Sequence, residues 1–467
     1  MAVFSIVQRT SIGSANRIDP DYYQPEYLQL AKRLSQSALK EKGILRRYIH
    51  SAINFGAYSL CNYIVFVDSG VPYLYTQDIR DNYIDLDNLH FITPDVDELL
   101  YKSQVRDRQV VLTMAGVYLG RASVFDYGIH VNSNQATAKI TVREDLLNPY
   151  YLSTFLNSLY GSFQIRRNKT GTARDNINLG QIQDLFICLP SRRFQLRIEQ
   201  AVKLGRQKLF DSKQLFTQAE QLFLSELGLQ NWTPTPALAY TRNYSQAARA
   251  RRVDAEYFQP KYQEMLDRLS SSVRLDRLGK LTTYTKGVEV GSPAYTASGI
   301  PFWRISNLTK HGLDDDSVNF ISDELYDSLR SSYEPQQGEM LLSKDATPGI
   351  AYYLETSIEG IVSSGILRLT ITNDIPPHYL ELALNSLFVQ LQVEQDAGGS
   401  IIKHWKPSEV RKTLIPRLSP AKEVEIAGFV QQSHAARRET KTILEKVKRA
   451  VEIAIEESED KAIEFIG

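Results

Sequence analysis

Two stretches of this 467-residue chain are versions of one another, and that duplication limits the folds open to it more than any other feature. Arg17-Ile18-Asp19-Pro20-Asp21-Tyr22-Tyr23-Gln24-Pro25 recurs as Arg252-Val253-Asp254-Ala255-Glu256-Tyr257-Phe258-Gln259-Pro260, 235 positions on. In both copies Gln-Pro leads into a helical pattern, carried by Tyr27, Leu30, Ala31 and Leu34 and then by Tyr262, Leu266 and Leu269. Later the register tightens. Tyr151-Leu152, Leu156-Asn157-Ser158-Leu159, Gln164 and Gly171 match Tyr379-Leu380, Leu384-Asn385-Ser386-Leu387, Gln392 and Gly399, every pair 228 positions apart. Weaker matches join Val71-Pro72-Tyr73 to Ile300-Pro301-Phe302, and Val110-Val111-Leu112-Thr113 to Met340-Leu341-Leu342-Ser343. The middle stretches, about 51–138 and 282–368, resemble each other least, which predicts related scaffolds with different variable faces.

After each copy the apolar spacing changes to a heptad-like alternation of three and four. Ile198, Val202, Gly205, Leu209, Ser212, Phe216, Ala219 and Phe223 form the first stripe. The second is Ile426, Val430, Ser433, Arg437, Thr440, Leu444, Val447 and Val451. Gly205 and Arg437 make either stripe a poor seam for a parallel homodimer, so the two long helices are expected to pair within the chain. Trp232-Thr233-Pro234-Thr235-Pro236 cannot continue a helix and marks a connection. The organisation read from this is a first globular domain over 1–190, a spacer helix over 191–229, a linker over 230–250, a second globular domain over 251–418, and a helix and tail over 419–467. Short β-branched and aromatic runs mixed with helices give α+β domains, arranged as a pseudo-twofold internal repeat.

Composition bears on function mainly by exclusion. Lys and Arg number 54, as do Asp and Glu, so the basic excess common in nucleic-acid-binding domains is absent and any positive face has to be local. Cys61 and Cys188 are too few for a disulfide framework and read as apolar thiols. No run approaches the ~20 apolar residues of a membrane span, and the start of the chain lacks a signal pattern, which predicts a soluble cytoplasmic protein with no membrane contact. Neither a nucleotide-phosphate loop nor a glycine-rich cofactor loop occurs. Pro376-Pro377 follow Asp374-Ile375 and precede His378, the wrong order for a base-flipping methyltransferase motif. His50, His90, His130, His311, His378, His404 and His434 are scattered without metal-ligand spacing, and Asp314-Asp315-Asp316 reads as a solvated turn rather than a calcium loop. No catalytic residue and no metal site is expected.

The repeated Arg-Ile/Val-Asp block, Leu341-Leu342-Ser343-Lys344-Asp345-Ala346-Thr347-Pro348-Gly349, the Leu-Asn-Ser-Leu helices followed by Gly171-Thr172 or Gly399-Ser400, and the paired long helices together resemble the specificity subunit of type I restriction-modification systems. The resemblance spans nearly the whole chain. It implies two target recognition domains held apart by an antiparallel coiled-coil pair of helices, each domain reading half of a split double-stranded DNA site. It also implies partners: modification (methyltransferase) subunits, two of them, supplying S-adenosylmethionine, and restriction (helicase-nuclease) subunits using ATP with magnesium, with no cofactor on this chain. The first copy departs from the second at Leu112-Thr113-Met114-Ala115-Gly116-Val117-Tyr118-Leu119-Gly120, so the two loops need not act identically. A duplicated scaffold binding proteins or small ligands is the competing reading, and a self-contained restriction enzyme a third.

Loops rich in Arg, Lys, Asn, Gln and small hydroxyls suit phosphate and base-edge contact. In the first domain these are Gln77, Arg80, Arg121, Asn134, Lys169, Thr172 and Arg174. The second domain offers Arg304, Asn307, Lys310, Lys344, Thr347, Ser400, Lys403 and His404. The glycine-bearing clusters 166–174 and 398–404 carry the most weight. Two helices of about 35 residues would each span roughly 50 Å, enough to act as a ruler between half-sites one DNA turn or slightly more apart.

Overall fold

Each copy opens and closes on one antiparallel strand pair, which ties the ends of a globular stretch together before the chain enters a long helix. Glu41–Ile44 pairs with Phe186–Leu189, and Arg274–Arg277 pairs with Leu414–Arg417. The computed structural model describes residues 5–10, 12, 17–55, 58–170, 175–269, 273–397 and 403–467. They fall into two compact units, Met1–Leu209 with Arg438–Gly467, and Phe210–Arg437.

The first unit is built on a four-stranded antiparallel sheet, ordered Ile49–Ile53, Thr137–Val142, Val110–Thr113, Ala122–Val124. Val110 to Thr113 are all buried, the signature of a central strand covered on both faces. Helix Pro149–Asn157 packs on this sheet. Its start is set by Asn148, whose side chain accepts from the backbone N–H groups of Tyr150 and Tyr151 at 2.8 and 3.3 Å, with Pro149 at the first helical position. Helix Leu159–Asn168 follows. A smaller sheet, ordered Asn132–Ser133, Val71–Leu74, His90–Ile92, Phe66–Val67, carries the second core of this unit.

The second unit repeats the plan strand for strand. Its main sheet is ordered Thr282–Lys286, Ile366–Ile371, Glu339–Ser343, Ala351–Tyr353, again antiparallel throughout. Helices Pro377–Asn385 and Leu387–Asp396 stand where Pro149–Asn157 and Leu159–Asn168 stood. The smaller sheet is ordered Asn319–Ile321, Ile300–Trp303, Ile361–Val362, and it keeps the parallel pairing that joins Tyr73 to Asn132 in the first unit, here as Phe302 to Ile361. The middle stretches, least alike in sequence, therefore share their topology. What varies is side chains, together with local additions such as the edge strand Phe66–Val67.

The long helices run Arg192–Leu227 and Pro420–Glu456. They pair antiparallel within each unit. In the first, Lys208 meets Glu439 at 3.0 Å and the Thr440 hydroxyl donates to the Gly205 carbonyl at 3.1 Å. In the second, the Ser212 and Ser433 hydroxyls are 3.1 Å apart and Lys422 meets Glu226 at 3.4 Å. Of the sixteen stripe positions expected from the sequence, all are buried except Arg437, which is half-buried. Gly205 has a packing reason: a Cβ there would lie 3.0 Å from Leu444 Cδ2.

The expected domain limits put each whole helix outside the globular stretches, whereas the compact units divide both helices near their middles. Cores explain this. Phe194, Ile198 and Val202, with Leu444 through Ala462, join the first unit's main core, while Phe216 through Leu229, with Ile426 and Val430, join the second's. Each globular body thus buries the adjoining half of both helices. Within the expected linker, Tyr244–Ala250 forms a short exposed helix. No described helix is long and apolar enough to cross a membrane.

Candidate nucleic-acid interface

In both units the loop leaving the third sheet strand is laid against the segment that follows the second repeated helix. The strand Glu339–Ser343 ends on a hydroxyl that closes the loop: Ser343 Oγ donates to the Thr347 carbonyl at 2.6 Å and accepts from the Ile350 N–H at 2.9 Å. Gly349 sits at φ +97°, and a Cβ there would come within 2.8 Å of Gln390, so the loop needs glycine. Asp345–Ala346 then pairs antiparallel with Lys403–His404, Asp345 opposite His404 and Ala346 opposite Lys403. The Trp405 N–H donates to the Lys344 carbonyl at 2.8 Å, and the buried Trp405 ring anchors the segment.

Thr113 plays the Ser343 part in the first unit, its hydroxyl donating to the Tyr118 carbonyl and accepting from the Arg121 N–H at 2.9 Å. The Gly116 N–H donates to the Asp175 carbonyl at 3.0 Å, and Ala115 and Thr170 both bridge to Asn176. Although the loop sequences differ, the same two segments meet.

The structure distributes the expected contact residues unevenly. Lys403, His404 and Thr347 are gathered on this junction and exposed, with His404 Nδ1 2.8 Å from Asp345. Lys344 lies there too, but its ammonium is paired with Asp345 and only 15% of its side chain is exposed. Lys169 occupies the matching place in the first unit, half-exposed and 2.9 Å from Asp175. Thr172, Arg174 and Ser400 lie outside the described residues. Gln77 is exposed on the short turn Thr76–Asp78, away from that junction in sequence and topology, and Arg80 is half-buried on the strand that follows. The Arg121 guanidinium lies 4.6 Å from the Tyr118 ring centroid.

Packing buries two of the expected contact residues and pairs a third with the long helix. Asn307 is 1% exposed; its amide nitrogen donates to the Asp314 and Asp316 carbonyls and its oxygen accepts from the Arg304 N–H, so it holds a turn together rather than facing a ligand. Asn134 is likewise buried, accepting from the Thr137 hydroxyl at 2.8 Å. Lys310 points to the first long helix, 3.2 Å from Glu220 and 4.7 Å from the Phe216 ring centroid. Arg304 is half-buried beside them, donating to the Ser317 carbonyl at 3.1 Å. Asp314 to Asp316 form the turn expected of them, the Asp314 carboxylate accepting from the Asp316 N–H at 2.9 Å.

Sequence spacing missed a polar hub where each globular body meets its long helix. In the first unit Arg206 is ion-paired with Asp126, donates to the Asn82 and Val124 carbonyls at 2.6 and 2.9 Å, and stacks 5.2 Å from Tyr150, whose hydroxyl also donates to Asp126. The second unit puts His434, Glu355 and His378 at the matching positions, with Glu381 between the imidazoles. Burial alone would lower the His378 pKa; hydrogen bonds and charge from Glu381 and Glu355 outweigh it and raise it. His378 and His434, scattered in sequence, are thus neighbours. The one clue was His378 and Glu381 three apart on a helix.

No family model matches the chain. The specificity subunit of the type I restriction enzyme EcoBI from Escherichia coli is 27% identical over 137 residues, which is 29% of this chain and 29% of that relative's length. Among solved structures, the S subunit of a type I restriction-modification system from M. genitalium is 11% identical with a TM-score of 0.38, covering 92% of this chain and 96% of that one. The HsdS subunit from Thermoanaerobacter tengcongensis is 12% identical with a TM-score of 0.28, covering 91% and 96%. Over those 137 residues, the chain is similar in sequence to a specificity subunit of a type I restriction enzyme.

Proposed function

We propose that this chain is the DNA-reading subunit of a type I restriction-modification enzyme, each compact unit recognising one half of a bipartite double-stranded target. The observation that carries the reading is the twice-built junction described above, which presents Lys403 with His404 on backbone fixed by strand pairing in one unit and Lys169 next to the Thr170–Asn176 bridge in the other. Cations and hydroxyls on rigid backbone suit phosphate and base-edge contact better than free loops do. The two long helices, 36 and 37 residues, set the gap between half-sites and dock the modification subunits. Chemistry comes from partners in the cytoplasm: modification subunits, two per chain, bring S-adenosylmethionine to adenine, and restriction subunits bring ATP with magnesium.

Coexpression with the modification subunit, followed by genome-wide mapping of methylated adenine, tests this. One bipartite motif with a fixed gap is expected, with the gap changing and both half-sites unchanged when whole turns are added to both helices. Methylation without a sequence motif, or a gap indifferent to helix length, would refute it.

A further inference from the structure

Four side chains at the hub of the second unit lie outside the junction proposed to read DNA. His378 and Glu381 lie one turn apart on helix Pro377–Asn385, His434 belongs to the second long helix, and Glu355 follows strand Ala351–Tyr353. Glu381 joins the imidazoles, one carboxylate oxygen 2.9 Å from His378 Nδ1 and the other 2.9 Å from His434 Nε2. His378 Nε2 is 3.1 Å from Glu355. His378, Glu381 and His434 are all buried, and one donor atom from each lies within 4.8 Å of the others. Donors around a tetrahedral ion bonded at about 2.0–2.2 Å are roughly 3.3 Å apart, so an ion would need the two carboxylate–imidazole contacts to open by a few tenths of an ångström and both imidazoles to turn from the carboxylate toward a common centre.

Charge supplies a second argument. At the matching positions the first unit holds Asp126, Tyr150, Ser153 and Arg206, one carboxylate with one guanidinium. The second unit holds two carboxylates and two imidazoles, so its four side chains carry two negative charges when the rings are neutral. Glu381 is 0% exposed and accepts from the Tyr353 N–H at 3.3 Å, and a carboxylate that deep needs a positive partner, either an imidazolium or an ion. A divalent ion supplies in one step what Arg206 supplies in the other copy. A third observation is access: a cavity of about 470 Å³ lined by Tyr353, Glu355, Pro376, Pro377, His378 and Gln431 opens beside the cluster, giving an entry route and room for water in an open coordination position.

We propose that His378, His434 and Glu381 bind one zinc-class divalent ion, with water from the cavity completing the shell and Glu355 holding the far nitrogen of His378. Mixed imidazole and carboxylate donors select such an ion over magnesium or calcium, which prefer oxygen alone. The ion would fasten the globular body of the second unit to its long helix.

The test uses the full chain, stripped with a chelator and titrated with Zn²⁺ and, separately, Co²⁺. One ion per chain, a visible four-coordinate cobalt spectrum and a melting temperature raised by Zn²⁺ are expected. His434→Gln and His378→Gln should each weaken Zn²⁺ binding roughly 100-fold or more. His50→Gln, at an exposed histidine of the first unit, should leave it unchanged. Where a histidine variant gives little soluble protein, Glu381→Gln keeps the side-chain size and a hydrogen bond to imidazole, and the same loss is expected. A stripped chain that takes up no ion at micromolar Zn²⁺ overturns the proposal, as does uptake that survives in both His434→Gln and Glu381→Gln.

Discussion

The two hubs solve one problem with different chemistry. In each unit a helix of the globular body has to be locked onto a long helix through a spot that is polar in both copies. The first unit uses a guanidinium: Arg206 satisfies Asp126, two carbonyls and the Ser123 hydroxyl at once, and covers the faces of Tyr127 and Tyr150. Arginine suits such a spot because its planar fork holds a fixed charge and several donors. The second unit replaces it with His434, whose charge is not fixed, and replaces Tyr150 and Ser153 with His378 and Glu381. At the position of Asn82 it places His311, half-buried against Phe216 and held neutral, its pKa lowered to about 2 by loss of solvent and nearby cations. Backbone topology is thus preserved while the groups that pin it have diverged, which is how one scaffold can carry two unlike recognition faces.

The sharpest way to break this comparison is to remove the guanidinium. Arg206→Ala leaves Asp126 and the polar groups around it without their cation, and breaking a partly buried pair in this way costs about 2–3 kcal/mol. All three tryptophans, Trp232, Trp303 and Trp405, belong to the second unit, so tryptophan fluorescence follows that unit alone while circular dichroism follows both. Urea unfolding of Arg206→Ala should move the dichroism transition to lower denaturant and leave the fluorescence transition in place. Equal shifts in both signals would show that the units do not hold their hubs independently.

A second contrast lies in the main sheets. Lys139 on strand Thr137–Val142 is fully buried, and among the described residues its ammonium donates to the Ser133 hydroxyl at 3.1 Å. Burial pushes its pKa down to about 7. At the matching place on Ile366–Ile371 stands Arg368, which keeps its charge by donating to the Ser332 and Glu334 carbonyls beside Glu339. Between about pH 7 and the unfolded lysine's value of 10.5, the unfolded chain holds one more proton than the folded one, so this group's cost falls as pH rises through that window and is largest below it. Lys139→Met should therefore stabilise the first unit by roughly 2–4 kcal/mol near neutral pH. The gain should shrink toward zero as the pH approaches that of a free lysine. Arg368→Met, which strips two carbonyls and Glu339 of their donor, should destabilise at every pH; the two unfolding curves compared across pH decide it.

Much of the architecture was legible in the sequence because repetition and periodicity are properties of sequence itself. The Arg-Asp and Leu-Asn-Ser-Leu blocks gave the duplication, and the stripe from Ile198 to Phe223 foresaw a buried helix face almost residue for residue. The middle sheets were less readable, since outside short matches such as Val71–Leu74 with Ile300–Trp303 the strands keep their pairing while their side chains differ. Contact residues were hardest, because residue type says what a side chain can bind and only packing says whether it is free to. Asn307 has the right chemistry but spends it on the Asp314–Asp316 turn. The hubs escaped because His378 and His434 are joined only by folding, and their counterparts Tyr150 and Arg206 share no chemistry with them.

The junction loops give the smallest and most specific comparison, between two lysines in one unit. Lys403 is exposed on the strand paired with Asp345–Ala346, whereas Lys344 is mostly enclosed with its charge already met by Asp345. A phosphate contact releases about one counterion, so its loss lowers the slope of log affinity against log salt by about 1 and weakens all DNA sequences alike. Lys403→Ala in the assembled complex should do this, at a cost of about 1 kcal/mol at moderate salt. Lys344→Ala should leave the slope unchanged, because an ammonium neutralised by its neighbour displaces no counterion from DNA. Binding measured over a salt series on specific and unrelated duplexes separates the two variants. If the Lys344 change alters the slope and the Lys403 change does not, the ion pair opens on DNA and the exposed face of this junction is not the one that meets the phosphates.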